Sequence, residues 1–149
     1  MISVKVSVST DKKITEELLN KFDNGLDDLA DFILAKSQEL CPVDEATLKK
    51  SGHTDKTTPF SKSVYYDAVH AAWIEFGTDP HSVSEEGREQ ITKWAMRVLQ
   101  LKRKDAEHAA DGIIWKIRHH GSKPRPFLRP AIDDGRANAA EIITNAIQR

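Results

Sequence analysis

Residues 119–131 read HHGSKPRPFLRPA, a stretch that combines three prolines, three cationic side chains and two histidines with one Phe-Leu pair and no acid. Gly121 is placed to end a preceding helix, and the prolines hold the chain extended until Pro130 enters the first turn of another helix. Phe127 and Leu128 are then its apolar anchors, into the core or into a neighbouring molecule. We call this segment the proline strap.

The strap carries positive charge through Lys123, Arg125 and Arg129. Residues 116–130 hold five cations and no acid, whereas residues 14–48 hold nine acids and two lysines, within a net charge of −1. Opposite charges on separate segments favour docking between copies of the chain. Contact of the basic segment with protein carboxylates is favoured over contact with nucleic-acid phosphates, which remains the alternative.

Upstream of the strap, alternation of apolar and polar residues predicts a strand over residues 2–9. A long amphipathic helix is predicted from about Ile14 to Pro42, with a mobile polar loop over 49–62 and one or two strands over 63–77, bent or briefly helical near Ala71 and Ala72. The apolar positions of the long helix are Leu18, Phe22, Leu26, Leu29, Ile33 and Leu40.

A helical hairpin is predicted over about 84–120, after a capping box at Ser82–Glu85. Its apolar positions are Ile91, Trp94, Ala95, Val98 and Leu99, then Ala106, Ala110, Ile113, Ile114 and Ile117; a last helix offers Ile132, Ala139, Ile142, Ile143, Ala146 and Ile147. The predicted class is therefore α+β, one domain over 1–149. A small antiparallel sheet packs with the long N-terminal helix, the inserted hairpin and the C-terminal helix.

The compartment follows from what the chain lacks. Its single cysteine, Cys41, cannot form an internal disulfide and is typical of a small buried hydrophobe; a catalytic thiol would need a base that we cannot identify. The N-terminus lacks the pattern of a signal peptide, and no apolar run is long enough to cross a bilayer. We therefore expect a chain made in the cytoplasm with no membrane partner.

The spacing of reactive residues favours no active site. The six histidines form neither H-x-x-x-H nor H-E-x-x-H, and the chain has no phosphate-binding glycine motif. His119 and His120 could hold a metal together with Asp79 or His81, but contact with the last carbonyls of a helix is favoured. We assign no catalytic, cofactor or metal residue and expect a protein that is not an enzyme.

Glu75 lies in the apolar run AAWIEFG, where a buried carboxylate is costly unless it is paired. A general acid or base is one interpretation. A structural ion pair with Arg125 or Arg129, within the fold or between subunits, is favoured because no second carboxylate or nucleophile accompanies it.

Three blocks together resemble a family of tail-completion or head-tail joining proteins of long-tailed bacteriophages. They are AKSQELCPVDEATLKKS (35–51), AAWIEFGT (71–78) and GSKPRPFLRPA (121–131), in that order. The first block of the family usually reads Asp-Thr-Gly-x-Leu, whereas Asp44 is followed here by Glu45 and Ala46. The resemblance covers most of the chain. It implies an α+β fold, no enzymatic activity and a six-fold ring where the DNA-filled head meets the tail.

The blocks and the strap mark the residues of a structural or interface motif, which are Asp44, Leu48, Glu75, Phe76, Gly77, Lys123, Arg125, Phe127, Leu128 and Arg129. The partners implied by the resemblance are other copies of the chain, further head-tail connectors, the tail tube or tail terminator proteins, and passing contact with DNA in the channel. The protein would then reside in the virion tail or neck. The alternatives are a DNA-binding or metal-dependent nuclease-like protein and a tail assembly chaperone.

Overall fold

The computed structural model describes residues 12–42 and 47–149. Within those residues it contains six helices and one antiparallel pair of strands, which confirms the predicted α+β class. In chain order these are α1 (Lys12–Leu40), α2 (Thr47–Lys50), β1 (Gly52–Thr58), β2 (Ser61–Tyr66), α3 (Ala71–Phe76), α4 (Glu85–Val98), α5 (Arg103–His120) and α6 (Leu128–Gln148). The strand predicted over 2–9, and Asp44 of the first block, lie outside the described residues.

The chain forms two compact units. The first contains the described residues up to Ala68 together with Phe127–Arg149, and therefore α1, α2, the strands and α6. The second is Val69–Pro126, with α3, α4 and α5. The helical hairpin predicted over about 84–120 is confirmed inside the second unit, and the single-domain prediction remains a prediction.

Packing of α1 against α6 forms the centre of the first unit. Two glycines allow the close approach: a Cβ atom at Gly135 would lie 2.4 Å from Ile33, and one at Gly25 would lie 3.1 Å from the backbone of Ile143. These two contacts run in opposite order along the helices, which are therefore antiparallel. Glycine lowers the helix propensity of α1 at Gly25, but it also lets α6 approach closely there.

The apolar stripe of α1 is only partly covered. Leu26, Leu29 and Ile33, in the stretch that faces α6, are half-buried. Outside that stretch, the exposed residues are Leu18, Leu19, Phe22 and Leu40. The apolar stripe of α1 is therefore exposed towards both ends of the helix.

The prediction of a mobile loop over 49–62 is wrong. These residues include the end of α2, all of β1 and the start of β2, with His53 opposite Tyr65 and Lys56 opposite Lys62. The threonines of β1 favour extended backbone, and the strand is held to α1 through polar groups, so hydrophobic alternation could not reveal it. For residues 63–77, the prediction of one or two strands holds for β2 alone, and the short helical turn predicted near Ala71 and Ala72 is confirmed as the start of α3.

The second unit is built on the hairpin of α4 and α5. Arg88 pairs with Asp111 at 2.8 Å, and Arg103 pairs with Glu89 at 3.1 Å. The capping box predicted at Ser82 is wrong by two residues, because the N-cap is Ser84, whose Oγ accepts a hydrogen bond from the amide of Gly87. At the other end, Gly121 ends α5 as predicted, with its amide donating to the carbonyl of Ile117.

Candidate functional site

The second block and the start of the third, as far as Pro126, lie against each other within the second unit. The amide of Thr78 donates to the carbonyl of Ser122, the amide of Ser122 donates back, and both distances are 3.1 Å. The two side-chain hydroxyls are 3.0 Å apart. An isolated antiparallel β-bridge thus joins the EFGT run to the GSKPRP run, although more than forty residues separate them in the sequence.

Two glycines with positive φ make this bridge possible. Gly77 has φ 75° and Gly121 has φ 66°, values that favour glycine over residues with a side chain. A Cβ atom added at Gly77 would lie 2.4 Å from the carbonyl oxygen of Ser122. One added at Gly121 would lie 1.9 Å from the carbonyl oxygen of Thr78. Both positions therefore need glycine for conformation and for space.

The strap continues along α3. The amide of Arg125 donates a 2.7 Å hydrogen bond to the carbonyl of Ile74, next to Glu75. Glu75 is buried with 4% of its surface exposed, whereas Phe76 is 65% exposed. The burial expected for Glu75 is therefore confirmed, while its pairing with Arg125 or Arg129 stays a prediction.

The outward face of α3 is apolar. On α3, Trp73 and Phe76 are 57% and 65% exposed at i, i+3 spacing, and Val69, just before the helix, is 82% exposed. This run was predicted as one or two strands with a bend or short helical turn near Ala71 and Ala72, and these exposed apolar groups were not identified as a surface. Such exposed aromatic groups are typical of surfaces that become buried on contact with a partner.

Phe127 anchors the end of the strap in the core of the first unit. It is 1% exposed, and its ring meets the ring of Tyr66 edge-on with the centroids 5.0 Å apart. The hydroxyl groups of Tyr66 and Ser37 are 2.6 Å apart, and Ser37 donates to the carbonyl of Leu34, so Tyr66 donates to Ser37. Burial raises the pKa of Tyr66 to about 12.

The other residues of the predicted motif are separated by burial. Leu48 is 2% exposed and belongs to the core. Leu128 is half-buried at the start of α6, and Arg129 is exposed. Lys123 and Arg125 are exposed. The motif therefore contains core anchors and a basic surface, and its members do not form one site.

The acidic face of α1 is largely used inside the chain. Lys56 contacts Asp23 at 2.5 Å, and Lys62, whose side chain is 6% exposed, forms an ion pair with Asp27. The hydrogen bond from Lys56, followed by that from the amide of Phe60, holds the pKa of the Asp23 carboxyl below its usual value, and the bond to Asp27 raises the pKa of Lys62.

These lysines explain why the β-hairpin formed by β1 and β2 lies on the acidic face of α1. Lys56 and Lys62 are cross-strand partners, and two like charges directly opposite each other destabilise a sheet. Asp23 and Asp27 neutralise both. A third carboxylate of α1, Asp28, pairs with Arg149 of the C-terminal end at 3.3 Å. The expectation that this acidic face serves docking between copies of the chain did not include these internal partners.

At the end of α5, an aromatic-histidine cluster remains at the surface. The rings of Trp115 and His119 stack with centroids 4.4 Å apart, and His120 meets Trp115 edge-on. His119 Nδ1 lies 2.7 Å from the carbonyl oxygen of Trp115, as expected for a histidine near the last carbonyls of a helix. In the part of the chain that the structure describes, no group of three His, Cys, Asp or Glu side chains is arranged to hold a metal ion.

Among the described residues, no helix has the length and apolar character required to cross a membrane. Comparison of the chain with protein-family models, curated proteins and solved structures finds no significant match.

Proposed function

We propose that the chain is a structural virion protein of a tailed bacteriophage that joins head and tail, as a tail-completion or neck component. The observation that supports this proposal most is the union of the second and third blocks. Gly77 and Thr78 of one block pack against Gly121 and Ser122 of the other, and Phe127 anchors the second in the core. The second block and the first residues of the third block are thus joined directly by backbone hydrogen bonds.

Exposed apolar groups supply the subunit contacts in this proposal. They lie on α3, at Trp73 and Phe76, just before it, at Val69, and on the first turns of α1, at Leu18 and Leu19. Because these two surfaces differ, a contact between them is heterologous, and repetition of such a contact closes a ring when the rotation between neighbours allows it. A six-fold ring that contacts other head-tail connectors and the tail tube or tail terminator proteins is the proposed assembly.

Genetic removal of the chain tests the proposal. A phage whose copy of the coding sequence carries a stop codon is expected to accumulate DNA-filled heads and separate tails, and expression of the wild-type chain in the host is expected to restore joined particles. Electron microscopy of the lysate counts the three species. Joined, infectious particles in the absence of the chain would contradict the proposal.

A matched pair of variants separates assembly from folding. Trp73→Ser changes the outward face of α3, whereas Lys93→Ser changes an exposed residue of α4 in the same unit. We expect the first to fail and the second to succeed in restoring joined particles, with unchanged circular dichroism in both. A chaperone that leaves before maturation predicts the same loss of joined particles but absence of the chain from purified virions, so protein analysis of virions separates these functions.

DNA binding without a virion role is the second candidate, favoured by the exposed cations of the strap and by the surface stack of Trp115 and His119. It predicts salt-sensitive affinity for DNA together with normal head-tail joining when the strap cations are removed. The nuclease-like form of this candidate additionally predicts that an added divalent metal ion supports strand cleavage and that Glu75→Gln abolishes it.

A further inference from the structure

Among the described residues, four cations at the C-terminal end of α5 and in the strap have no carboxylate partner. Lys116 and Arg118 lie in the last turns of α5, and Lys123 and Arg125 follow in the strap; all four are exposed. Within the described residues none of them forms an ion pair, whereas Lys56, Lys62, Arg88 and Arg103 all do. These four residues form what we call the basic edge.

The bridge between Thr78 and Ser122 holds the basic edge in place. Gly121 ends α5, Ser122 is fixed by two backbone hydrogen bonds, and the amide of Arg125 is bound to Ile74. The two pairs of cations therefore stand on either side of a fixed point in the backbone, and little conformational entropy of the main chain is lost when they bind a ligand.

The acidic face of α1 is a poor partner for this edge in a second copy of the chain. Asp23, Asp27 and Asp28 already pair with cations of their own chain. Docking the basic edge there would need these internal ion pairs to be broken. The complementarity that the sequence suggests between an acidic helix and a basic segment is satisfied within the acidic helix's own unit.

The chemistry beside the basic edge favours nucleic acid. Trp115 is 58% exposed and stacks on His119, so an aromatic plane and two imidazoles lie in the same last turns of α5 as Lys116 and Arg118, with no acid between residues 115 and 126. Cations interleaved with exposed aromatic rings are typical of surfaces that contact phosphates and bases. Contacts from exposed lysines and arginines to phosphates carry no sequence information, so we expect binding without sequence preference.

We propose that the basic edge binds the phosphate backbone of duplex DNA without sequence preference, through Lys116, Arg118, Lys123 and Arg125. This inference deepens the proposed function and rests on it for the source of the DNA, which passes through the junction between head and tail. The edge supplies counter-charge to that DNA, while the apolar face of α3 is left for protein contacts.

The test measures binding of the full chain to a fluorescent duplex of arbitrary sequence across a series of salt concentrations. Four phosphate contacts predict that log K falls against log salt with a slope of about −3.6, at about −0.9 for each contact. The double variant Lys116→Ala/Lys123→Ala is expected to bind several-fold more weakly and to halve that slope. The loss should be equal for duplexes of unrelated sequence.

A control variant removes the same charge from the other end of α5. Lys102→Ala/Lys104→Ala replaces two exposed lysines beside the start of that helix and is expected to leave affinity and slope unchanged. Circular dichroism shows whether each variant is folded. Absence of duplex binding at low salt, or equal slopes for the wild type and the Lys116→Ala/Lys123→Ala variant, would overturn the inference.

The same variants separate this inference from the proposed function. If they block head-tail joining but leave duplex affinity unchanged, the basic edge docks an acidic protein, the inference is overturned and the proposed function stands. If they lose duplex affinity while the chain proves absent from virions, the DNA-binding surface stands and the proposed function fails.

Discussion

The ring of Phe127 meets the ring of Tyr66 at an interplanar angle of 85°, with the centroids 5.0 Å apart. Tyr66 ends β2 and donates a hydrogen bond to Ser37 of α1, while Phe127 stands at the start of α6. Through Tyr66, this aromatic contact connects the β-hairpin, α1 and the end of the strap. The strap is therefore anchored in the core at Phe127, whereas its preceding residues Lys123 and Arg125 are exposed.

Phe127→Ala is expected to lower the free energy of unfolding by about 3–5 kcal/mol, because it removes a fully buried aromatic ring and leaves a cavity. Lys123→Ala, at an exposed position of the same strap, is expected to change it by less than about 0.5 kcal/mol. Urea denaturation followed by circular dichroism compares the two. Equal losses would show that the strap is not anchored by its phenylalanine.

Tyr66 gives the fold a dependence on alkaline pH. Burial raises its pKa from 10.0 to about 12, so the unfolded chain loses this proton first and stability falls as pH rises between those values. The chain has two tyrosines, so Tyr65→Phe leaves Tyr66 alone, and its phenolate absorbance is expected to titrate near 12 in the folded protein. A midpoint near 10 while circular dichroism still reports folded protein would refute the burial of this hydroxyl.

The sequence predicted the helices well because their apolar residues recur with a strong 3.6-residue period, and Gly121 and Pro130 marked the two ends of the strap. It failed at β1, where Lys56 and Thr54 bind α1 through Asp23 and Asp31 and leave no hydrophobic alternation. Polar strand-to-helix contacts have no local signature, since each partner is also an ordinary surface residue.

The candidate site was predicted in part. Phe127 was identified as an anchor from its place among prolines, and Gly77 and Gly121 were both singled out, but nothing local indicates that Thr78 and Ser122 pair across the second unit. The outward face of Val69, Trp73 and Phe76 was missed because a run rich in aromatic and β-branched residues also fits a strand. Tertiary contacts decide whether such a short apolar run becomes a helix or a strand. Here the contact is with the strap, where the amide of Arg125 donates to the carbonyl of Ile74.

The bridge between the two blocks is expected to depend on its glycines. Gly77→Ala and Gly121→Ala each place a Cβ atom against a carbonyl oxygen at positive φ, and each should cost more than about 1 kcal/mol of stability. Gly112→Ala is the control, because it lies in α5 with open space around it and should stabilise the helix by up to about 1 kcal/mol. Thermal denaturation ranks the three. If Gly112→Ala were the most damaging, the account of the bridge would be wrong.

The contact of the β-hairpin (β1 and β2) with α1 is expected to weaken at acidic pH. The pKa of Asp23 lies below 3.8, so its contribution to stability is present above that pH and is lost as the pH falls through the folded value. Asp23→Asn should lower the hydrogen-exchange protection factors of the amides of β1 and β2 at neutral pH, as low pH should in the wild type. Asp55→Asn, at an exposed carboxylate of β1, should not. Unchanged exchange in Asp23→Asn would mean that the lysines do not hold the hairpin.

The central claim is that this chain is a component of the joint between head and tail, and direct localisation tests it. Purified virions carrying an epitope-tagged copy should bind gold-labelled antibody at the neck or upper tail, and the tagged chain should be detected by mass spectrometry of the same particles. Absence of the chain from purified infectious particles, or label confined to another part of the virion, would contradict the claim.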